Sequence, residues 1–534
     1  MAVELSAVRL LAPWFGTSLV VWTNVIGVLL LALAIGALLG ARLATGGSPA
    51  RQAGVLLLFA GLLSAGLPWL AEPVSRWFLP ASFQLAEAGR LLAYGSLACA
   101  AALFVLPAIA FGAISPLGVE GLTRGGGLSA GRAGGLVLAC STIGSLLGTF
   151  ATTHVVLPEF GLIRGFLGIG GVALLAAAVL GWHGAATRRA GLTSAGLGLV
   201  LAAGMFVPAA KGGPGGPQVG GRLGPDTTLL AEVESAYQRV RVIEQAFREE
   251  ESGEVSFRLR LLAINEVSDS YQSVWTETPG LLGPGYYYDD FVLPHLWRSQ
   301  GAAQMPTQER VLVLGFGAGT AHRVLQGALD PQVELTVLGV ELDPEVIRLG
   351  QRFFELPKQD PRVEIWDGVD ARVAVTALRS GGESGPFDTI VLDCYANAIE
   401  IPPHLSTVEF FRSLRPLLAP GGLVVANVGA FGLEDPVLER FAVTLAQAMG
   451  RRVLALPVKN ARNVSVFVGA DIDPPDPATP EFQLPGPESA WLCEPRRLPG
   501  GSRWFEPNQS GVSSDDRNPI DTLAARGLLR QAER

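Results

Sequence analysis

The sequence predicts two unlike parts: an α-helical transmembrane bundle, and behind it an α/β unit in which a small β-unit precedes a doubly wound sheet. Three observations predict this. Charged residues make up only 16% of the 534 residues and apolar ones 49%, with a mean hydropathy of +0.36, against about a quarter charged in an average globular chain. The charge is uneven: residues 1–211 hold 11 Lys and Arg against 5 Asp and Glu, which leaves 29 basic and 43 acidic residues beyond them. Finally, long uncharged runs fill the first part, whereas apolar strands alternate with helical stretches from residue 309 onward. A single soluble domain, a disordered chain and a disulfide-stapled secreted module are excluded. A nucleic-acid partner is not expected, because the acidic second part repels phosphate.

A spanning helix needs about 20 apolar residues. Six runs qualify, at about 17–40, 53–71, 91–112, 133–157, 161–182 and 190–209. None has a charge at its centre; Arg42, Arg51, Arg90, Arg124, Arg132, Arg188 and Arg189 sit at ends or in loops. Trp14, Trp22, Trp69, Trp77 and Trp182 lie near run ends, as interfacial aromatics do. Gly36/Gly40 and Gly144/Gly148 have the spacing that lets helices approach closely, though chance spacing explains such pairs equally well in so glycine-rich a chain. The opening MAVELSAVRLLAPWFG lacks the pattern of a cleaved signal. It reads as a short interfacial helix or as the tail of a helix whose beginning is absent. With no Asp, Glu or Lys in mid-span, no ion pathway is indicated. The chain is expected in the cell membrane as a multi-pass protein. Arginine counts on the two sides, six against four, favour an external second part if all six runs span. A nucleotide-using enzyme would instead belong on the cytoplasmic side, which is the localisation expected here.

Residues 210–224, AKGGPGGPQVGGRLG, form a Gly/Pro-rich linker after the membrane part, 1–209. A small β-unit is expected over 225–300, where SAYQRVRVIEQAF and SFRLRLLAINEV alternate apolar and polar residues. The segments RVLVLG, VELTVLGVEL, RVEIWDG, DTIVLD and GLVVANV are strands separated by helices, over a unit spanning 301–470. Such alternation makes a largely parallel, Rossmann-like sheet. Its last two strands, RVLALPV and VSVFVGA, are joined by a short Lys459–Asn463 turn and should form an antiparallel hairpin. That ending marks the methyltransferase-type variant. The Pro-rich tail, 471–534, reads as irregular. Cys99, Cys140, Cys394 and Cys493 form no C-x-x-C pair and the five histidines are dispersed, so no metal site is expected.

The chemistry concentrates at strand ends. The first strand of the sheet runs into GFGAGT, whose Gly315, Gly317 and Gly319 permit a tight turn and close approach of a ligand. Glu341 closes the next strand, where a carboxylate can accept both ribose hydroxyls. Asp370-Ala371, after RVEIW, can accept from an adenine amino group, with Asp367 as a competitor. Glycine turn, ribose acid and adenine acid in that order point to an S-adenosyl-type ligand; the bland alternative is a set of solvated loop acids. Asp393 ends the fourth strand, VLD, beside that ligand, and Pro402-Pro403 beyond it suit a lid-like loop.

On these residues the chain resembles the spermidine synthase-like (polyamine aminopropyltransferase) family, in its membrane-fused branch. ESAYQRVRV looks like the family's nucleotide-side strand, with Gln238 as its glutamine; GFGAGT, Glu341, Asp370-Ala371 and Asp393 match its glycine loop, ribose acid, adenine pair and catalytic acid. IPPHLSTVEFF looks like the gate segment, RLLAPWFGTSLVVWTNVIGVLLLALAIG like early membrane helices, and SDDRNPIDTL like the terminal Asp-Asp-x-x-Pro segment. The resemblance implies aminopropyl transfer from decarboxylated S-adenosylmethionine, a co-substrate rather than a tightly bound cofactor, with methylthioadenosine as co-product. It implies an amine substrate, a lipid bilayer as partner and room for a homo-oligomer. The departures fall on the amine side: Ala318 and Ala396 stand where the family has acids, and Tyr288-Asp289-Asp290 stands for its Tyr-His-Glu segment. Tyr288, Asp289, Asp290 and Tyr395 are therefore the expected substrate residues, with Asp289 or Asp290 supplying a replacement carboxylate. Methyl transfer, and non-catalytic binding of a nucleoside or polyamine, are the alternatives.

Overall fold

A computed structural model describes residues 1–15, 19–78, 94–181, 193–200, 226–235, 237–248, 255–264, 271–301, 306–381, 386–395, 401–459, 461–484, 489–498, 500–520 and 523. The chain divides into two compact units, Met1–Gly221 with Ala532–Arg534, and Arg222–Gln531. The 210–224 linker lies outside the described residues.

The first unit is helical: α1 (Ala2–Phe15), α2 (Leu19–Ala44), α3 (Pro49–Phe78), α4 (Ser96–Gly112), α5 (Ile114–Gly126), α6 (Ala130–Ala151) and α7 (Gly161–Gly181), with a π-helical turn, Thr152–Phe160, between the last two. Among the described residues, five helical stretches are long and apolar enough to cross a membrane: Val20–Ala44, Pro49–Phe78, Ser96–Gly126, Ala130–Leu157 and Gly161–Leu180. Of the sixth expected run only residues 193–200 are described, and they are helical. The opening segment forms a helix whose Ala7, Val8, Leu11 and Phe15 bury against Val25, Leu67, Phe104 and Phe166. The two glycine pairs part company. A methyl group on Gly36 or Gly40 would collide with the backbone at Ile109 or Ala113, and one on Gly112 with that at Leu33, so α2 and α4 touch main chain to main chain. Gly144, by contrast, has open space around it.

The second unit begins with a four-stranded antiparallel sheet in sequential order: β1 (Thr227–Glu234), β2 (Arg239–Arg248), β3 (Val255–Ile264) and β4 (Tyr271–Thr276). A 3-10 turn, Tyr287–Val292, and α8 (Leu293–Gly301) lead into the main sheet. Its elements are β5 (Gln308–Leu314), α9 (Thr320–Ala328), β6 (Glu334–Glu341), α10 (Pro344–Phe353), β7 (Val363–Asp367), α11 (Ala371–Gly381), β8 (Phe387–Leu392), α12 (Val408–Leu414), β9 (Leu418–Gly429), α13 (Pro436–Met449), β10 (Val453–Pro457) and β11 (Asn463–Gly469). Strands β5 to β9 run parallel in the order β7-β6-β5-β8-β9; β11 and then β10 add antiparallel beyond β9. That is the mixed sheet the hairpin implied. Val311–Leu314 are buried on both faces of it, which is why the strand reads as an unbroken apolar run. Asp343, Thr407 and Asp435 cap α10, α12 and α13 through their side chains, and Gly450, at φ 67°, stops α13.

The tail is less irregular than its composition suggests. Short helices α14 (Ser489–Leu492) and α15 (Glu494–Arg497) precede β12 (Arg503–Phe505), which pairs antiparallel with β10 and carries the sheet to eight strands. Three residues around one buried Phe505 are too short a pattern to stand out among prolines.

Candidate active site

The glycine loop sits where β5 and β8 end side by side, Asp393 donating its N–H to the Leu314 carbonyl at 2.8 Å. Gly315, Gly317 and Gly319 all have positive φ, at 86°, 57° and 91°. At Gly315 the space is closed as well, because a Cβ would strike the Asp393 backbone. Glu341 ends β6 directly beside the loop. Its carboxylate accepts from Gly317 N–H at 2.8 Å and from Asp343 N–H at 3.0 Å, and burial pushes its pKa above the ordinary range. Asp343 accepts from Ser235 at 2.5 Å and bonds the Gln238 side chain, so Gln238 is brought to the same corner from the turn before β2. Ser273 of β4 accepts from Ala318 N–H at 2.8 Å and ties the small sheet to the loop.

Asp370 precedes α11, whose first residue is Ala371. Its Oδ1 accepts from the N–H groups of Arg372 and Val373 at 2.8 and 3.3 Å, an N-cap arrangement, while Oδ2 lies 2.9 Å from His404 Nε2. The hydrogen bond to His404 holds the carboxyl below its usual range. His404 belongs to the expected lid, which turns in a 3-10 helix, Pro403–Leu405. Asp367 is exposed at the end of β7.

Asp393, just past β8, is gripped from two sides. Tyr287 donates its hydroxyl to Oδ2 at 3.1 Å and Asn427, on β9, donates its amide to Oδ1 at 2.8 Å. Asn463 at the start of β11 in turn donates to the Asn427 side-chain oxygen at 2.8 Å, which fixes which end of that amide faces Asp393. Burial is the dominant influence on Asp393 and pushes its pKa up to about 7, against the two hydrogen bonds that favour the anion.

Each of the expected amine-side residues has partners within the protein. Tyr288 stacks on Tyr287, whose hydroxyl holds Asp393, and donates its own hydroxyl to the Gln272 carbonyl. Asp290 is not free to meet an amine: it is 1% exposed and forms a two-pronged ion pair with Arg496 at 2.7 Å in both arms. Each oxygen of Asp289 accepts one N–H, from Leu282 and from Gly283, at 2.8 Å. The two acids thus serve the turn that carries the tyrosines. The Tyr395 hydroxyl donates to the Asn427 carbonyl and accepts from Gly429 N–H, which commits it to β9. Ala318 is fully buried in an apolar cluster with Trp275, Val346 and Leu349. Ala396 lies outside the described residues.

Sequence reasoning missed Tyr287, Asn427, Asn463, His404 and Arg496. Asn427 had a signal, as the lone polar side chain in the apolar run GLVVANV. Tyr287 was hidden by register, since three consecutive tyrosines precede Asp289. Arg496 had none, because it pairs across 206 residues of sequence.

No protein-family model matches the chain. It is 30% identical over 244 residues to a probable polyamine aminopropyl transferase of Bifidobacterium longum, covering 45% of this chain and 47% of that protein. It is 28% identical over 333 residues to a polyamine aminopropyltransferase of Mycobacterium tuberculosis, covering 60% and 56%. The chain thus spans about half the length of the curated relatives it matches. Among solved structures, a probable spermidine synthase from Corynebacterium glutamicum is similar at 25% identity over 53% of this chain and 95% of that one, with a TM-score of 0.38. The curated relatives support what the motifs imply: the chain resembles the spermidine synthase-like family of polyamine aminopropyltransferases.

Proposed function

We propose that the chain is a membrane-anchored aminopropyltransferase that moves the aminopropyl group of decarboxylated S-adenosylmethionine to an amine. The observation that carries this is Asp393: a carboxyl with its pKa pushed up to about 7, fixed by Tyr287 and Asn427, against the loop in which Glu341 and the glycines offer a nucleoside site. In the reaction the amine nitrogen attacks the propyl carbon next to the sulfonium. The carbon–sulfur bond breaks with its electron pair going to sulfur, and neutral methylthioadenosine leaves. A free alkylamine has a pKa of about 10.4 and arrives protonated, so it must give up a proton before its nitrogen can attack. Asp393 is the acceptor for that proton. Glu341 grips the ribose, Asp370 the adenine amino group, and the glycine loop lets the nucleoside approach the backbone; Gln238 supports the ribose corner through Asp343.

The anchoring rests on the five long apolar stretches, and the cytoplasmic placement of the second unit follows from the intracellular origin of an S-adenosyl substrate. The acceptor side carries fewer acids than the family pattern, with Ala318 apolar-packed and Asp289 and Asp290 engaged. Putrescine is therefore a poor acceptor, and turnover is slow or shifted to another amine.

Product analysis of the full chain with decarboxylated against ordinary S-adenosylmethionine tests the reaction. Methylthioadenosine release dependent on an added amine supports it. Methylation of the amine with the ordinary donor, or no turnover with either, overturns it. Asp393→Asn keeps the shape but cannot take the proton, so turnover should fall by about 10²–10⁴-fold with methylthioadenosine binding retained.

A further inference from the structure

Asp370 is an incomplete adenine acceptor on its own terms. A carboxylate offers about four lone-pair positions. Two backbone N–H groups take Oδ1 and His404 takes one position on Oδ2. One acceptor position on Oδ2 is left, with its direction set by the imidazole. An exposed ion pair of this kind is worth little for stability, yet the backbone around His404 is pinned from several directions. Arg372 donates to the His404 carbonyl at 3.1 Å while itself forming a two-pronged ion pair with Asp515, and the Asn518 amide donates to the Pro403 carbonyl at 2.7 Å and to Ser406 Oγ at 2.8 Å. Val408 N–H bonds the Ser513 carbonyl at 2.9 Å. Ile401 and Leu405 are buried in the main core on either side. A segment 513–518 from the tail therefore straps the lid down with its histidine against the acid.

We propose that His404 is a positioning residue that orients Asp370 to accept one hydrogen from a purine amino group, so that the site selects a 6-amino purine nucleoside over its 6-oxo and unsubstituted counterparts. This rests on the nucleoside reading of the site given above. The ionised carboxyl is acceptor-only, and the hydrogen bond from the imidazole favours that charged form. A 6-oxo purine would set its carbonyl oxygen against that carboxylate, acceptor facing acceptor, and forfeit the hydrogen bond.

The test is calorimetry on the full chain in detergent with three probes: methylthioadenosine, methylthioinosine and the methylthio-riboside of unsubstituted purine. Wild type should bind the first at least about tenfold more tightly than the other two, the value of one charge-assisted hydrogen bond. His404→Ala should lose most of that preference, weakening methylthioadenosine about five- to tenfold while leaving the unsubstituted riboside unchanged. His404→Gln, which keeps a donor at the Nε2 position, should restore it. An equal loss for all three probes, or no loss for methylthioadenosine, would overturn the proposal. Glu341→Ala separates the two readings. If it weakens all three probes while His404→Ala changes nothing, only the role of His404 fails; if neither substitution matters, the nucleoside site fails with it.

Discussion

Asp393 has its carboxyl raised to about 7 because burial outweighs the hydrogen bonds from Asn427 and Tyr287. Both bonds favour the charged form, so removing either lets burial act further and raises the value. A base works only when ionised. The acid limb of the kcat/KM profile should therefore fall as pH drops through about 7 in the wild type, and Asn427→Ala or Tyr287→Phe should move that limb to higher pH. Asn463→Ala should move it the same way by a smaller amount, since the Asn427 amide stays but loses its orientation. A limb that stays in place in all three variants would mean that a different group is titrating. At this scale the sequence was informative where one residue type does one job at a strand end. Glu341 and Asp393 lie at the ends of β6 and β8 against the glycine loop, as their positions after apolar runs implied. It does not separate neighbours of the same chemistry, as with Tyr287 beside Tyr288 and with two consecutive aspartates, because what distinguishes them is a partner elsewhere in the chain.

Between elements, the turn Tyr287–Val292 is fastened to α15 by Asp290 and Arg496, both almost wholly buried. Removing one partner leaves a lone buried charge, which costs about 3–5 kcal/mol. Arg496→Met should thus lower the melting temperature of the second unit by about 10 °C, and pairing it with Asp290→Asn should recover much of the loss. Ala318→Asp, which would restore the family's acid in the glycine loop, should also destabilise rather than improve putrescine use, because the new carboxyl would enter the cluster of Trp275, Val346 and Leu349. Increased putrescine turnover in a stable Ala318→Asp protein would show that this cluster yields. The parallel strands and the closing hairpin were legible because each is a run of several residues with its own period. The strap, the lid contact and β12 were not, since each depends on two or three residues meeting partners far away in the chain.

For the whole molecule, the uneven charge and the long apolar helices separate two solubility regimes. Residues 225–534 should fold without detergent and bind methylthioadenosine, whereas residues 1–209 should need detergent. Loss of secondary structure in a detergent-free 225–534 fragment would count against two independent cores. The second part's 29 basic against 43 acidic residues should steer cationic acceptors toward it, and raising salt from about 0.05 to 0.5 M should then lower kcat/KM for an amine several-fold. The strap bears on how the protein is made. Asn518 binds the Pro403 carbonyl across 115 residues of sequence, so translation at about 5–20 residues per second separates the two by roughly 6–23 s. The glycine loop, Glu341 and Asp370 leave the ribosome well before the tail can reach the segment around His404. A nascent chain thus completes the central sheet, glycine loop included, before the tail can fasten the segment that carries His404.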